Sequence, residues 1–226
     1  MLELIERFDL VGAFRMTLWL AFWSALWSLL IGTVVAIMRL SPVRALRMLG
    51  SAYVTLIRNT PLTLIIVACS FILWTQLGVN MASRESPTYI DDNNVRLAIL
   101  GLSVYHAAFV CEALRSGVNT IPLGQAEAAR SIGLTFAQNM RHVILPQAFR
   151  GAITPLGNVL IALTKNTTVA TAIGVSQAAF AMRRMIEFRP DVLFSVFALI
   201  AIGFVIITLP MGMAISALSS RLAVKR

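Results

Sequence analysis

The sequence predicts an all-α integral membrane protein with five transmembrane helices, as judged from its composition, its uncharged runs and its charge distribution. Of 226 residues, 58% are hydrophobic and 13% are charged, whereas soluble domains contain roughly 45–50% apolar and about 25% charged residues. The net charge of +9 accompanies long apolar runs rather than one basic face. This pattern excludes nucleic acid as a partner and indicates membrane lipid.

Four spans follow from runs that reach the roughly 20 residues needed to cross a hydrocarbon core about 30 Å thick. The first, residues 14–38, carries three tryptophans spaced four residues apart. The second covers residues 60–78. The third reaches full length, residues 96–115, by extending through Glu112 to an interface. The last covers residues 192–218.

The remaining apolar region, residues 151–182, is interrupted by a lysine, and the position of this lysine indicates how the region crosses the membrane. Lys165 divides the apolar stretch of residues 151–182, and the part before it holds 14 residues. That part corresponds to about 21 Å of helix, which is too short to span the core. We therefore expect one interrupted span over residues 151–175. Its polar residues, which enter membrane depth, are Asn158, Thr164, Lys165, Asn166, Thr167 and Thr168.

Basic residues orient the chain, because Lys and Arg accumulate in short cytoplasmic loops. Segments 39–58 and 112–150, with the tail from Arg221, hold 11 basic residues against two acids, whereas the opposite side holds eight of each. The N-terminus is therefore expected outside and the C-terminus in the cytoplasm. No linker divides the chain, so residues 1–226 are expected to form a single transmembrane domain.

The cytoplasmic loop of residues 120–150 is long and patterned. Its alanine-rich part predicts a short helix over Gln125–Ile132 that ends at Gly133, and Thr135 is the expected N-cap of a second helix over Phe136–Val143. Phe136 and Met140 lie four residues apart on one face of that second helix. This apolar face is expected to point outward and to fit a groove of a partner.

Two motifs in this loop resemble the EAA motif of permeases from ATP-binding-cassette importers. They are Glu127-Ala128-Ala129, followed by Gly133, and Val143-Ile144-Leu145-Pro146, with Val143 where the family pattern has Ile. The resemblance implies that the loop contains a coupling helix, which binds a cleft of a cytoplasmic ATPase subunit and transmits its closure to the pore. The implied ATPase-coupling residues are Glu127, Ala128, Ala129, Gly133, Phe136, Met140, Leu145 and Pro146.

The resemblance to the polar amino acid subgroup covers nearly the whole chain. Arg58-Asn59-Thr60-Pro61-Leu62 is similar to its Arg-Gly-Thr-Pro-Leu signature, and Lys165-Asn166-Thr167-Thr168 is similar to its Lys-Asp-Thr/Ser-Ser stretch. Among these proteins the chain is most similar to actinobacterial glutamate-uptake permeases. The resemblance implies a non-enzymatic pore subunit of the bacterial plasma membrane that binds no cofactor itself.

The same resemblance implies the partners. Two cytoplasmic ATPase subunits would hold ATP and magnesium, and an external substrate-binding protein would deliver the amino acid. A second homologous permease would complete the pore. A heterodimer is expected rather than a homodimer, because the glutamate systems that the chain resembles use two different permeases.

The expected substrate path is formed by Lys165, Asn166, Thr167 and Thr168, together with Arg58 and Thr60. A charged group at mid-membrane must face protein or water, so a buried Lys165 ammonium would offset a substrate carboxylate. Alternatively, Lys165 extends to the outer interface or pairs with Glu187 or Asp191. Arg58 and Thr60 either contribute to an inner gate or only begin the second span.

Two other functional classes are disfavoured by the residues present. A membrane enzyme requires a nucleophile with a base, or paired carboxylates, at consistent depth, and the predicted spans carry no such arrangement. A self-sufficient secondary transporter or channel normally shows an internal repeat or intramembrane acids for ion coupling. The chain also lacks a GxxxxGK phosphate loop, so ATP hydrolysis requires a separate subunit.

Overall fold

A computed structural model describes residues 1–222, which are built from helices joined by short loops. Two of the basic residues in the charge count, Lys225 and Arg226, lie outside these residues. The elements are α1 Leu2–Arg7, α2 Leu10–Leu40, α3 Arg44–Arg58, α4 Leu62–Ala68, a π-helix Cys69–Gln76, α5 Tyr89–Val118, α6 Leu123–Ser131, α7 Phe136–Asn139, a π-helix Met140–Ile144, α8 Leu145–Gly151, α9 Ile153–Asn166, a 3₁₀-helix Thr167–Ile173, α10 Ala178–Phe188, a 3₁₀-helix Pro190–Val192 and α11 Leu193–Leu222.

The long helices α2 and α5 form the centre of the fold and run parallel to each other. Leu20 packs with Ala98 near the start of both helices. Further along, a methyl group added at Gly32 would lie 2.6 Å from the Cβ of Val110 and 2.7 Å from the carbonyl oxygen of Ala107. Glycine at this position therefore lets the two backbones approach closely, as small residues do in membrane helix pairs.

Two further segments lie beside this pair and run in opposite directions: α9 with the 3₁₀-helix that follows it, and α11. Along α9 and the following 3₁₀-helix, the chain passes from a cluster with Val35 to a cluster with Leu20, which makes it antiparallel to α2. Helix α11 then returns along α9. The hydroxyls of Thr154 and Ser219 lie 2.8 Å apart, and Gly157 sits directly against Ile215.

Three helices are long and apolar enough to cross a membrane: Leu10–Leu40, Tyr89–Val118 and Pro190–Leu222. Two bent helix pairs raise the number to as many as five, with bends of 104° between α3 and the α4 segment and 55° between the α9 segment and α10. The described residues therefore contain three to five candidate spans.

Helix α5 begins at Tyr89, well before the predicted start at residue 96. Its polar first turns are held by the preceding loop, since Asn93 is fully buried and its side-chain oxygen accepts a 2.8 Å hydrogen bond from the backbone N–H of Met81. Tyr89 also donates to the side chain of Asn80. Contacts between distant polar residues thus extend the helix beyond its apolar part.

The interruption predicted near Lys165 is present, because the α-helix ends at Asn166 and continues as a 3₁₀-helix. This segment ends at Gly174, whose φ of +80° favours glycine. The fully buried Gln177 forms hydrogen bonds with this segment. Its side-chain amide donates to the backbone carbonyl of Thr168 at 3.1 Å and to the hydroxyl of Thr171 at 2.5 Å.

The start of the second loop helix agrees with the sequence, but its continuation does not. Gly133 has φ +86°, and Thr135 forms a reciprocal capping box with Gln138. The predicted α-helix over Phe136–Val143 instead changes to a π-helix after Asn139 and continues as α8. The wider turn ends just before Pro146, where a proline inside a regular α-helix would clash with the carbonyl four residues earlier.

The contact between α5 and α8 at Gly117 yields a stability prediction. A methyl group there would overlap the carbonyl oxygen of Ala148 and come within 3.0 Å of the Cβ of Ala152. We expect Gly117→Ala to lower the free energy of unfolding by about 1–3 kcal/mol, as overpacking does. The thermal midpoint of the purified protein in detergent measures this effect.

Gly124→Ala is the matched control, because nothing lies within 4 Å of a methyl group at that exposed helical position. Its midpoint should stay unchanged or rise slightly, since alanine favours helix over glycine by about 1 kcal/mol. Equal midpoints for the two variants would contradict the close packing of α5 on α8.

Candidate functional site

Helix α6 presents the first part of the loop motif to solvent. Glu127 and Ala128 are exposed, whereas Ala129 is 4% exposed and packs inward. Ile132 follows the helix and is 79% exposed, although it is a large apolar side chain. The exposed surface of this loop therefore combines a carboxylate with an isolated apolar group beside Gly133.

The second part of the motif is partly buried. Phe136, Met140 and Leu145 are half-buried, and Ile144 is only 4% exposed. Phe136 and Met140 are therefore partly covered by the rest of the chain and partly open to a partner.

Asn139 holds the two helices of the loop together. Its side-chain N–H donates to the carbonyl oxygen of Ala126 at 3.3 Å. The side chain is buried, so this bond joins α7 to α6 away from solvent. Pro146 remains exposed on the following helix. Ile132 is a large apolar residue that points outward, and its only sequence signal is its place directly before Gly133.

Glu112 of α5 is shared by three guanidinium groups from three helices. Arg39 at the end of α2 pairs with it, Arg58 at the end of α3 lies 3.7 Å from its carboxylate, and Arg115 lies 3.4 Å away on α5 itself. Arg115 lies three residues after Glu112 on the same helix, and the two other arginines come from elsewhere in the chain. The sequence did not indicate that these distant arginines meet.

Arg58 and Thr60 sit at the junction of α3 and α4. The guanidinium of Arg58 also lies over the ring of Phe109, 5.8 Å from its centroid. The Thr60 hydroxyl donates to the carbonyl oxygen of Leu56 at 2.8 Å, and Pro61 precedes the first turn of α4. In this conformation Arg58 therefore contacts α5, and Thr60 is hydrogen-bonded to the end of α3.

Lys165 lies on the outer surface of α9 and is exposed. It takes part in none of the ion pairs among residues 1–222. The acids considered as partners are paired elsewhere: Glu187 with Arg183 at 3.4 Å, and Asp191 with Arg189 at 2.7 Å. Pairing of Lys165 with these acids is therefore wrong in this structure.

Asn166 is half-buried and contacts His106 on α5. Its side-chain N–H donates to Nε2 of His106 at 3.2 Å, while Nδ1 of the same ring donates to the carbonyl oxygen of Leu102 at 2.9 Å. Both ring nitrogens are thus used, which fits a neutral imidazole. His106 lies at the middle of α5, and no sequence pattern indicated that it would lie near Lys165.

The two threonines after Asn166 differ in their surroundings. Thr167 is fully buried, and its hydroxyl donates to the carbonyl oxygen of Thr164 at 2.7 Å. Thr168 is half-buried and donates to the carbonyl oxygen of Lys165 at 2.8 Å. Thr167 therefore faces the core in this conformation, where its hydroxyl satisfies a carbonyl at the end of the α-helix.

The family is decided by comparison with known proteins. A family described as "Binding-protein-dependent transport system inner membrane component" matches residues 28–223. The chain belongs to this family. The permease is therefore a transport subunit of the bacterial inner membrane rather than an enzyme, and transporters of this family work with a separate ATPase and a binding protein.

Relatives and solved structures agree with the family. The permease is 54% identical over 218 residues to the glutamate transport system permease protein GluC of Corynebacterium glutamicum, with 96% of each chain covered. It is 33% identical over 192 residues to the probable glutamine ABC transporter permease protein GlnM of Bacillus subtilis, with 85% and 83% covered. A solved amino acid ABC transporter with histidines matches with a TM-score of 0.78 at 27% identity over 97% of both chains.

The shared carboxylate of Glu112 yields a prediction for stability. Glu112→Gln removes the common counter-charge of three guanidinium groups, of which that of Arg39 is the most buried, so we expect a loss of about 1–3 kcal/mol in the free energy of unfolding. The thermal midpoint in detergent measures it. Glu187→Gln, which disrupts an exposed pair with Arg183 at 3.4 Å, should cost less than about 1 kcal/mol. A Glu112 variant no less stable than this control would contradict the shared pairing.

Proposed function

We propose that this chain is the permease subunit of an ATP-driven glutamate importer and forms half of its translocation pore. The observation that carries the proposal is 54% identity, over 96% of each chain, to a permease named for glutamate transport. A second glutamate permease, from Corynebacterium efficiens, is 52% identical over the same share. Relatives named for glutamine and arginine transport are 33% and 32% identical, which favours glutamate.

The proposed topology is a single domain, residues 1–226, with five spans at about 14–38, 60–78, 96–115, 151–175 and 192–218. The parallel arrangement of α2 and α5 supports this topology. Two helices can cross the membrane in the same direction only if the chain between them crosses it once in the opposite direction. The α4 segment provides that return. Helix α9 supplies about 21 Å and the seven residues of its 3₁₀-helix about 14 Å, which together exceed a core of about 30 Å.

The proposed orientation has the N-terminus outside and the C-terminus in the cytoplasm. Arg39, Arg58 and Arg115 gather around Glu112 at one end of the bundle, close to the loop of residues 120–150. Clustered arginines at one membrane face favour the cytoplasmic side.

ATP hydrolysis by a partner drives the proposed mechanism of alternating access. A dimer of ATPase subunits, which holds ATP and magnesium, binds the exposed surface of α6–α8. The exposed Glu127, Ala128, Ile132 and Pro146 offer the contacts. Ala129, Phe136, Met140 and Leu145 instead support this surface from behind, and Gly133 sets the turn between the two helices. Closure of the ATPases moves α8, and Gly117 passes the motion to α5.

A second permease completes the proposed pore, and we propose a different chain rather than a copy of this one. An external binding protein delivers the amino acid. The exposed position of Lys165 supports an internal surface between the two permeases, because a lysine facing lipid at mid-membrane costs several kcal/mol. His106 and Asn166, at the middle of α5 and the end of α9, mark that depth. The Lys165 ammonium is proposed to attract a substrate carboxylate, and Thr168 lies beside it.

Gly133 provides a test of the coupling assignment. Its φ of +86° is an outlier conformation for a β-branched residue, so Gly133→Val should turn Ile132 away from the ATPase. We expect uptake of labelled glutamate in proteoliposomes to fall about tenfold, which corresponds to about 1.4 kcal/mol, while ATP hydrolysis continues. Gly124→Ala on the same loop is the control. Normal uptake by the valine variant, with ATPases bound, would refute the assignment.

Lys165 provides a test of the substrate path. Lys165→Ala should reduce glutamate uptake about tenfold or more, because one charge-assisted contact to a carboxylate is lost. Lys165→Arg keeps the positive charge and should retain most uptake. Membrane insertion and ATPase binding should be unchanged in both variants. Undiminished uptake by the alanine variant would remove Lys165 from the path without affecting the identification of the family.

A further inference from the structure

A groove of about 580 Å³ lies between α2 and α5. One wall consists of Trp19, Trp23 and Trp27 from α2, and the other is formed by α5 residues that include Ile99 and Leu100. The volume lies within the range of small-molecule sites, roughly 300–1,000 Å³. The lining is almost entirely apolar, so its occupant needs a substantial apolar part.

The depth of the groove matches one leaflet of a bilayer. The tryptophans recur every four residues and the wall continues to Ile31, which gives a length of about 18 Å, compared with about 15 Å for half of the hydrocarbon core. Trp19 and Trp27 are 52% and 49% exposed. Tryptophans normally concentrate at the membrane surface, whereas Trp27 lies about 12 Å deeper than Trp19. An interfacial anchoring role therefore does not account for the whole row.

The mouth of the groove carries an acid and a base that do not pair with each other. Asp92 and Arg96 both line it and lie four residues apart on one face of α5. Neither belongs to an ion pair within the part of the chain that the structure describes. Each is instead held by a neutral partner. Oδ2 of Asp92 accepts from the Thr88 hydroxyl at 2.8 Å, and Nη1 of Arg96 donates to the carbonyl oxygen of Met81.

These bonds orient both groups and leave other atoms available. Oδ1 of Asp92, and Nε and Nη2 of Arg96, make no hydrogen bond within residues 1–222. The mouth thus offers an anionic acceptor beside a cationic donor, with an apolar groove directly below. The complementary molecule has an anionic group, a cationic donor and a hydrocarbon chain.

We propose that this groove binds one phospholipid whose head group combines a phosphate with a primary ammonium, as in phosphatidylethanolamine. The phosphate binds Arg96, the ammonium binds Asp92, and one acyl chain lies along the tryptophan row. A purely anionic head group satisfies Arg96 but is repelled by Asp92. A choline head group has no N–H to donate to the carboxylate. Asp92 and Arg96 therefore distinguish lipids by their head groups, even when the acyl chains of these lipids are identical.

The test uses the intact transporter reconstituted in nanodiscs of mixed phosphatidylethanolamine, phosphatidylglycerol and phosphatidylcholine. Native mass spectrometry then counts the lipids retained per permease after mild delipidation. We expect preferential retention of phosphatidylethanolamine. Arg96→Gln should lower it about tenfold, because a charge-assisted contact to phosphate is lost. Asp92→Asn should remove the preference over phosphatidylglycerol, because the repulsion is gone.

Neighbouring residues provide matched controls. Asp91→Asn and Arg84→Gln change the same charges at exposed positions that do not line the groove, and they should retain phosphatidylethanolamine like the unmodified chain. Leu100→Trp fills the groove without changing any charge and should abolish retention. Thermal midpoints of all variants separate loss of lipid from loss of folding.

Three results would overturn the proposal. Equal retention of the three lipids, unaffected by Arg96→Gln, would mean that only non-specific annular lipid is present. Displacement of the lipid by soluble glycerophosphoethanolamine would mean that the mouth binds a free head group and the groove holds no chain. Cross-linking of a Trp23→Cys variant to the second permease, with no lipid retained, would identify the groove as a subunit interface. None of these outcomes bears on whether the transporter imports glutamate.

Discussion

The close approach of α2 and α5 is the contact on which the rest of the structure depends. In a membrane, apolar helices gain little from hiding apolar surface from one another, because lipid is equally apolar, so packing at short range and buried polar contacts must hold them together. Gly32 removes the side chain that would keep α2 and α5 apart. Ala36 and Ala108, which are 1% and 0% exposed, continue the same seam.

Polar groups are placed at defined depths of this framework. At one end, Glu112 binds arginines from three helices, and near the middle, His106 joins α5 to the end of α9. Each of these groups has partners inside the chain. The Lys165 ammonium has none within the described residues, and this contrast is the physical reason for the proposal that another subunit or the substrate covers it.

The features of the fold and of the candidate site that could be predicted from the sequence are those that depend on neighbouring residues. The apolar runs, the break at Lys165 and the cap at Thr135 depend on residues that are near one another in the chain, and they are present in the structure. The early start of α5, the partners of Glu112 and the position of His106 depend on residues that are distant in sequence. The half-buried state of Phe136 also depends on distant residues, since a helical repeat shows which residues share a face but not what that face contacts.

The meeting of α5 and α8 at Gly117 has a mechanical consequence. Most helix contacts pass through side chains, which can change rotamer and absorb a small shift. Here the backbone of one helix rests on the carbonyl group of the other, and no rotatable bond lies between them. A displacement of α8 therefore moves the main chain of α5 directly, because no side chain lies between them to absorb the shift.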